Sequence, residues 1–165
     1  MNPTTVKRTP VLMARVEGGI INSYNKYKRS PFGAYYMGGD MMSGSMGNYM
    51  NETIGLRGYK NGSIAGANYD YAYSYMKASL ELRYPLIFEQ STTVWVLGFA
   101  EVGNAWSDIS RYNPFDLKRS AGVGVRVMMP MIGLLGLDWG YGFDRPNGYN
   151  ERGGSNIHFV LGRDL

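Results

Sequence analysis

Arg57 is set among glycines in the stretch Thr53-Ile54-Gly55-Leu56-Arg57-Gly58-Tyr59-Lys60-Asn61-Gly62. Its guanidinium is planar and permanently charged, and its fork of donors matches a carboxylate. Gly55, Gly58 and Gly62 permit tight turning and φ > 0. A tip built this way can be carried into a protein interior and tied there by its arginine. Taken alone, the Arg57-Gly58-Tyr59 tripeptide also fits a solvated turn in which Arg57 only aids solubility. The tied loop is favoured by the rest of the chain, which supplies a sheet able to surround it and carboxylates to hold it.

Other chemistry finds few residues to carry it. His158 is the only histidine and there is no cysteine, so paired-histidine metal sites, thiolate sites and a Ser/His constellation all lack a member. Gly122-Val123-Gly124 and Gly140-Tyr141-Gly142 have no helix downstream to cradle a phosphate. Two glutamates, such as Glu81 and Glu101, can act as acid and base in a glycosidase, but an arginine between them keeps both ionised. No catalytic residue, metal or cofactor is therefore assigned, and the expectation is a protein that is not an enzyme. The net charge of +4 is scattered, which argues against a nucleic-acid partner.

The elements that must position Arg57 are strands. Apolar and polar residues alternate with period two, and no helical period is present. The predicted strands are 11–21, 32–37, 76–84, 94–106, 120–129, 135–143 and 157–165. In 76–84, Met76, Ala78, Leu80, Leu82 and Tyr84 oppose Lys77, Ser79, Glu81 and Arg83. In 135–143, Leu135, Leu137, Trp139, Tyr141 and Phe143 oppose Gly136, Asp138, Gly140 and Gly142. The 94–106 stretch is apolar on both faces up to Glu101, which predicts burial from both sides. Tyr69, Tyr71, Tyr73 and Tyr75 alternate in the same way and extend the 76–84 strand.

A sandwich core needs bulky side chains on both inner faces, and rows of glycine at 122, 124, 140 and 142 cannot provide them. They suit a barrel wall against which something else packs. The clearest strands have the roughly nine to eleven residues of a tilted transmembrane strand, and their apolar faces end in aromatics. The mean hydropathy of −0.27 fits such alternation. The apolar run 127–137 is broken by Pro130, Gly133 and Gly136, well short of the about 20 residues a spanning helix needs. Connections alternate between short (85–93, 130–133) and long (107–119, 144–156, and 38–75), the outer-membrane pattern of periplasmic turns and external loops. The 38–75 segment is long enough to imply a function of its own.

The ordered set of motifs resembles the C-terminal half of the barrel of the BamA family of outer-membrane protein assembly factors (bacterial surface antigen family). It comprises Pro31-Phe32 with Gly38-Gly39, then Leu56-Arg57-Gly58-Tyr59, similar to the family's V-R-G-F/Y loop. Ser79-Leu80-Glu81-Leu82, Phe99 to Trp106, Arg119 to Gly124 and Phe159-Val160-Leu161-Gly162 follow in order. The wording of 130–143 resembles members from the Bacteroidetes. The resemblance implies an all-β, antiparallel transmembrane segment of about seven strands, half of a sixteen-stranded barrel and not closed on its own. It implies that the 38–75 loop enters the lumen, where Arg57 meets Glu81 and Glu101 of the wall. It also implies that the signal peptide, POTRA domains and first half-barrel lie outside this sequence. The terminal strand (Ile157, Phe159, Leu161, Gly162, Leu165) ends in Arg163-Asp164-Leu165, where the family usually has an aromatic. The implied location is the cell outer membrane. The implied partners are the lipid bilayer with lipopolysaccharide, unfolded β-barrel clients and accessory assembly lipoproteins. Alternatives are a related two-partner-secretion or translocation barrel and a passive outer-membrane porin or surface barrel.

Overall fold

The computed structural model describes residues 9–22, 33–40, 52–65, 71–89, 91–108, 110, 113–131 and 133–162. Its strands are β1 (Val11–Ile20), β2 (Tyr35–Met37), β3 (Glu52–Ile54), β4 (Ser74–Phe88), β5 (Thr93–Trp106), β6 (Lys118–Met129), β7 (Gly133–Gly142) and β8 (Gly154–Leu161). Six of them form one antiparallel sheet in the order β1-β4-β5-β6-β7-β8, and β1 and β8 do not pair with each other. The sheet is open.

Alternation sets its two faces. Leu12, Val16, Leu80, Leu82, Val123, Ile157 and Phe159 point outward and are exposed. Lys77, Glu81, Glu101, Ser120, Arg126, Asp138 and His158 point inward and are buried. This polarity is the reverse of a water-soluble sheet and is that of a wall with lipid outside and polar material within. Trp139, Tyr84 and Phe143 add exposed aromatics to the outer surface.

The sheet has six strands, one fewer than expected. Phe32 lies outside the described residues, and the rest of the predicted 32–37 strand contributes only β2, which pairs in parallel with β3 and with no strand of the wall. The alternation and flanking glycines that mark a wall strand mark this short inner ribbon equally well. The ribbon belongs to a second layer packed inside the sheet, with a core of Tyr35, Met37, Ile54, Leu56, Tyr59 and Ile64. Gly38 and Gly39, at φ +124° and +81°, let the chain leave β2 and hydrogen-bond to Ile54 and Leu56.

Two further expectations change. Pro85 does not begin a turn: β4 runs on to Phe88, with a register shift between Pro85 and Ile87. The β1 ladder stops at Val11↔Arg83, so Pro85 stands beyond that pairing, where its missing N–H breaks no bond to β1. The tyrosine run lengthens the predicted strand only in part: β4 starts at Ser74 and takes in Tyr75, and Tyr73 bonds to Trp106 and Ile21 just before it; Tyr69 lies outside the described residues. The early part of β5 is buried on one side only. Leu97 and Phe99 are covered from within, while Val96 faces outward at 37% exposure.

Candidate functional site

The loop after β3 brings Arg57 onto the inner face of the sheet. Gly58 and Gly62 adopt φ +87° and +66°, whereas Gly55, directly after β3, stays outside that region. The tip rests on the glycine row of β7. A Cβ on Gly140 would lie 2.7 Å from the Gly58 nitrogen, and one on Gly142 would lie 2.5 Å from the Gly58 oxygen. Any larger residue there would lift the tip off the wall.

Three strands supply carboxylates to one guanidinium. Arg57 Nε and Nη2 donate to Glu101 Oε1 at 3.0 and 2.7 Å, and the Arg57 backbone N–H donates to Glu101 Oε2 at 2.8 Å. Nη2 also meets Glu81 Oε1 at 2.5 Å, and Nη1 meets Asp138 Oδ2 at 3.3 Å. The guanidinium carbon lies 3.8 Å from the centroid of the Phe99 ring, a cation–π contact. Glu81 and Asp138 stand three strands apart, about 14 Å on a flat sheet, so their convergence reflects long side chains and inward curl of the wall.

The carboxylates have further cations. Arg126 makes a bidentate pair with Asp138 at 2.5 and 2.7 Å. Arg83 meets Glu81 at 2.8 Å, and Lys77 lies 3.5 Å from Glu101. With Glu17, 3.7 Å from Lys77, four cations face four carboxylates and the charge balances, as burial of ions requires. Burial alone would lower the pKa of Arg57, but Glu101, Glu81 and Asp138 outweigh it and hold the guanidinium charged.

Around this centre the tip is fixed by neutral bonds. The Gly58 N–H donates to His158 Nε2 at 2.9 Å, and Asn156 Nδ2 donates to the Gly58 carbonyl at 2.9 Å. The Tyr59 hydroxyl donates to the Arg119 carbonyl at 2.7 Å and accepts from the Asp144 N–H at 3.2 Å. Burial pushes the Tyr59 phenol up to about 12, with the Asp144 charge adding to the effect. Leu56 is fully buried in the inner core.

Arg57, Glu81 and Glu101 are therefore brought together, and Leu56, Gly58 and Tyr59 are packed beside them. Asp138, Arg126, Lys77, Asn156 and His158 were not singled out by sequence reasoning as members of this centre. For Asp138, Arg126, Lys77 and His158 the signal is only an inward position in a period-two strand, which many polar residues share; Asn156 falls in the stretch 144–156 expected to be a loop, whereas β8 begins at Gly154. On the terminal strand, Ile157, Phe159 and Leu161 face outward and are exposed, and the Gly162 N–H donates to the Leu134 carbonyl. Leu165 lies outside the described residues. The arrangement has the chemistry of a lock: charges neutralised, donors satisfied, a backbone tip seated in a groove of glycines.

The Omp85 superfamily domain matches residues 2–165 of this chain. No curated protein matches it.

Proposed function

The chain belongs to the Omp85 superfamily, and from that premise we propose that it is the C-terminal half of the barrel of a BamA-type assembly factor. Omp85 proteins are outer-membrane barrels that assemble or secrete proteins. In this reading the whole barrel folds and inserts β-barrel clients into the outer membrane, and the chain itself catalyses no reaction. The observation that supports it is the lumen loop, tied by Arg57 to carboxylates of β4, β5 and β7. A passive pore has no need of such a lock across its lumen. In the whole barrel β8 would close against the first strand of the other half, and a weak closure there suits a second role, as a template to which a client strand adds. Outward apolar residues meet the bilayer and lipopolysaccharide, and the accessory lipoproteins dock on the periplasmic side.

The test is Arg57→Ala in the full-length protein, expressed as the sole copy in cells. Folded barrels in the outer membrane, scored by heat-modifiable migration, fall across many unrelated clients if the reading holds. Failure of a single secreted client with all barrels intact points instead to a secretion barrel. Unchanged clients together with altered solute uptake point to a passive pore.

A further inference from the structure

Gly58 presents both polar atoms of its backbone to the last strand. His158 and Asn156, two residues apart on the inward face of β8, take them up: Nε2 accepts the N–H and Nδ2 donates to the carbonyl, each at 2.9 Å. Two side chains thus stand where the peptide groups of a neighbouring strand would stand. The Asn156 amide is oriented by the carbonyls of Gly153 and Gly154, at 2.9 and 3.3 Å. Both bond the Gly58 backbone and not the Arg57 guanidinium. Among the described residues β8 pairs with β7, and these two side chains tie its inward face to the loop.

We propose that His158 and Asn156 form a clasp that couples the terminal strand to the seated loop, as positioning residues that hold β8 in place while the loop is down. When the clasp opens, β8 loosens although Arg57 keeps its carboxylates. The consequence for client strands rests on the assembly reading, but the coupling does not.

The chemistry makes the clasp titratable. A ring nitrogen that accepts an N–H carries no proton, so His158 is the neutral tautomer with its hydrogen on Nδ1. Protonation at Nε2 sets a donor against the Gly58 N–H and removes the bond. The charges acting on the ring come from Asp40 and Arg57 of the loop, Glu101 of β5 and Asp138 of β7, the last paired with Arg126 of β6. His158 and Arg57 both line a cavity of about 390 Å³, which gives the ring a route to protons.

Hydrogen–deuterium exchange on the full-length protein tests this. His158→Ala should speed exchange about tenfold in peptides covering both 54–60 and 154–161, the loss of one net hydrogen bond. His158→Gln, whose carbonyl can accept from Gly58 at any pH, should restore protection. Between pH 7.5 and pH 5, after correction for intrinsic rates, protection should fall in the wild type and stay level in His158→Gln. Unchanged 154–161 exchange in His158→Ala, or the same pH response in His158→Gln as in wild type, overturns the proposal. No client enters these measurements, so they stand or fall apart from the assembly reading.

Discussion

Two arginines of this chain meet a carboxylate through the same three nitrogens, one beneath the loop and one at the rim of the sheet. Arg57 uses its backbone N–H, Nε and Nη2 on Glu101 at 2.8, 3.0 and 2.7 Å. Arg119 uses the same set on Asp144 at 2.8, 3.0 and 2.9 Å. Bond lengths do not separate them. Burial does: the Arg57 side chain is 6% exposed and that of Arg119 is 65% exposed. At the rim, water and salt compete for both partners, so the pair contributes little. Arg119 does hold the Asp144 carboxyl below the usual carboxylate range, yet that describes a local preference, not an anchor. Beneath the loop the charges have only one another, so removing one leaves the cluster with a net buried charge.

The largest effect is therefore expected from Arg57→Ala, which leaves Glu101, Glu81 and Asp138 short of a cation. It should destabilise the folded barrel by about 3–5 kcal/mol, read as a lower urea midpoint in lipid or detergent and as faster proteolysis of the loop. Arg57→Lys should recover only part of this, because an ammonium cannot span Glu101 and Asp138 as a planar fork does.

Gly140→Ala comes next and attacks the groove in place of the charge. Its Cβ would fall 2.7 Å from the Gly58 nitrogen, and overpacking of this kind costs about 1–3 kcal/mol. The expected signature is a loop sensitive to protease while the ion-pair residues are all present. If Gly140→Ala behaves as wild type, the tip does not rest on the β7 glycine row.

A smaller effect is expected at high pH. Tyr59 titrates at about 12 in the folded chain, against about 10 for an unfolded tyrosine. A raised folded pKa means that the stability linked to the protonated phenol is complete below about pH 10 and is lost as pH rises towards about 12. Tyr59→Phe should abolish that portion of the alkaline loss, measured by urea midpoints with tyrosinate absorbance as the titration monitor. Arg119→Ala, the smallest, should leave the midpoint unchanged within error.

How much of this was legible in the sequence follows from the range of each signal. Alternation is local, so β4, β6, β7 and β8 and the inward position of Glu81 could be read directly. The approach of Arg57 to Glu81 and Glu101 came from resemblance of the loop motif, because no local pattern links residues 24 and 44 positions apart. Asp138, 81 positions away, was visible only as one more inward polar residue. As a metal ligand or catalytic base His158, the only histidine, lacks a partner in the sequence. Its actual partner is a backbone N–H, which no side-chain inventory reveals. The 32–37 stretch misled for a related reason: alternation tells which residues share a face, not which sheet the strand joins.

The comparison of the two arginines can be put to one direct measurement, a pair of double-mutant cycles on the full-length protein. Arg57→Ala with Glu101→Ala forms one cycle and Arg119→Ala with Asp144→Ala the other, both read as unfolding free energies in the same lipid. A loop held by a buried charge centre predicts coupling of about 2 kcal/mol or more in the first cycle, within the range for residues of one ion-pair network, and coupling within error in the second. Equal couplings in the two cycles, or none in the first, would contradict the account.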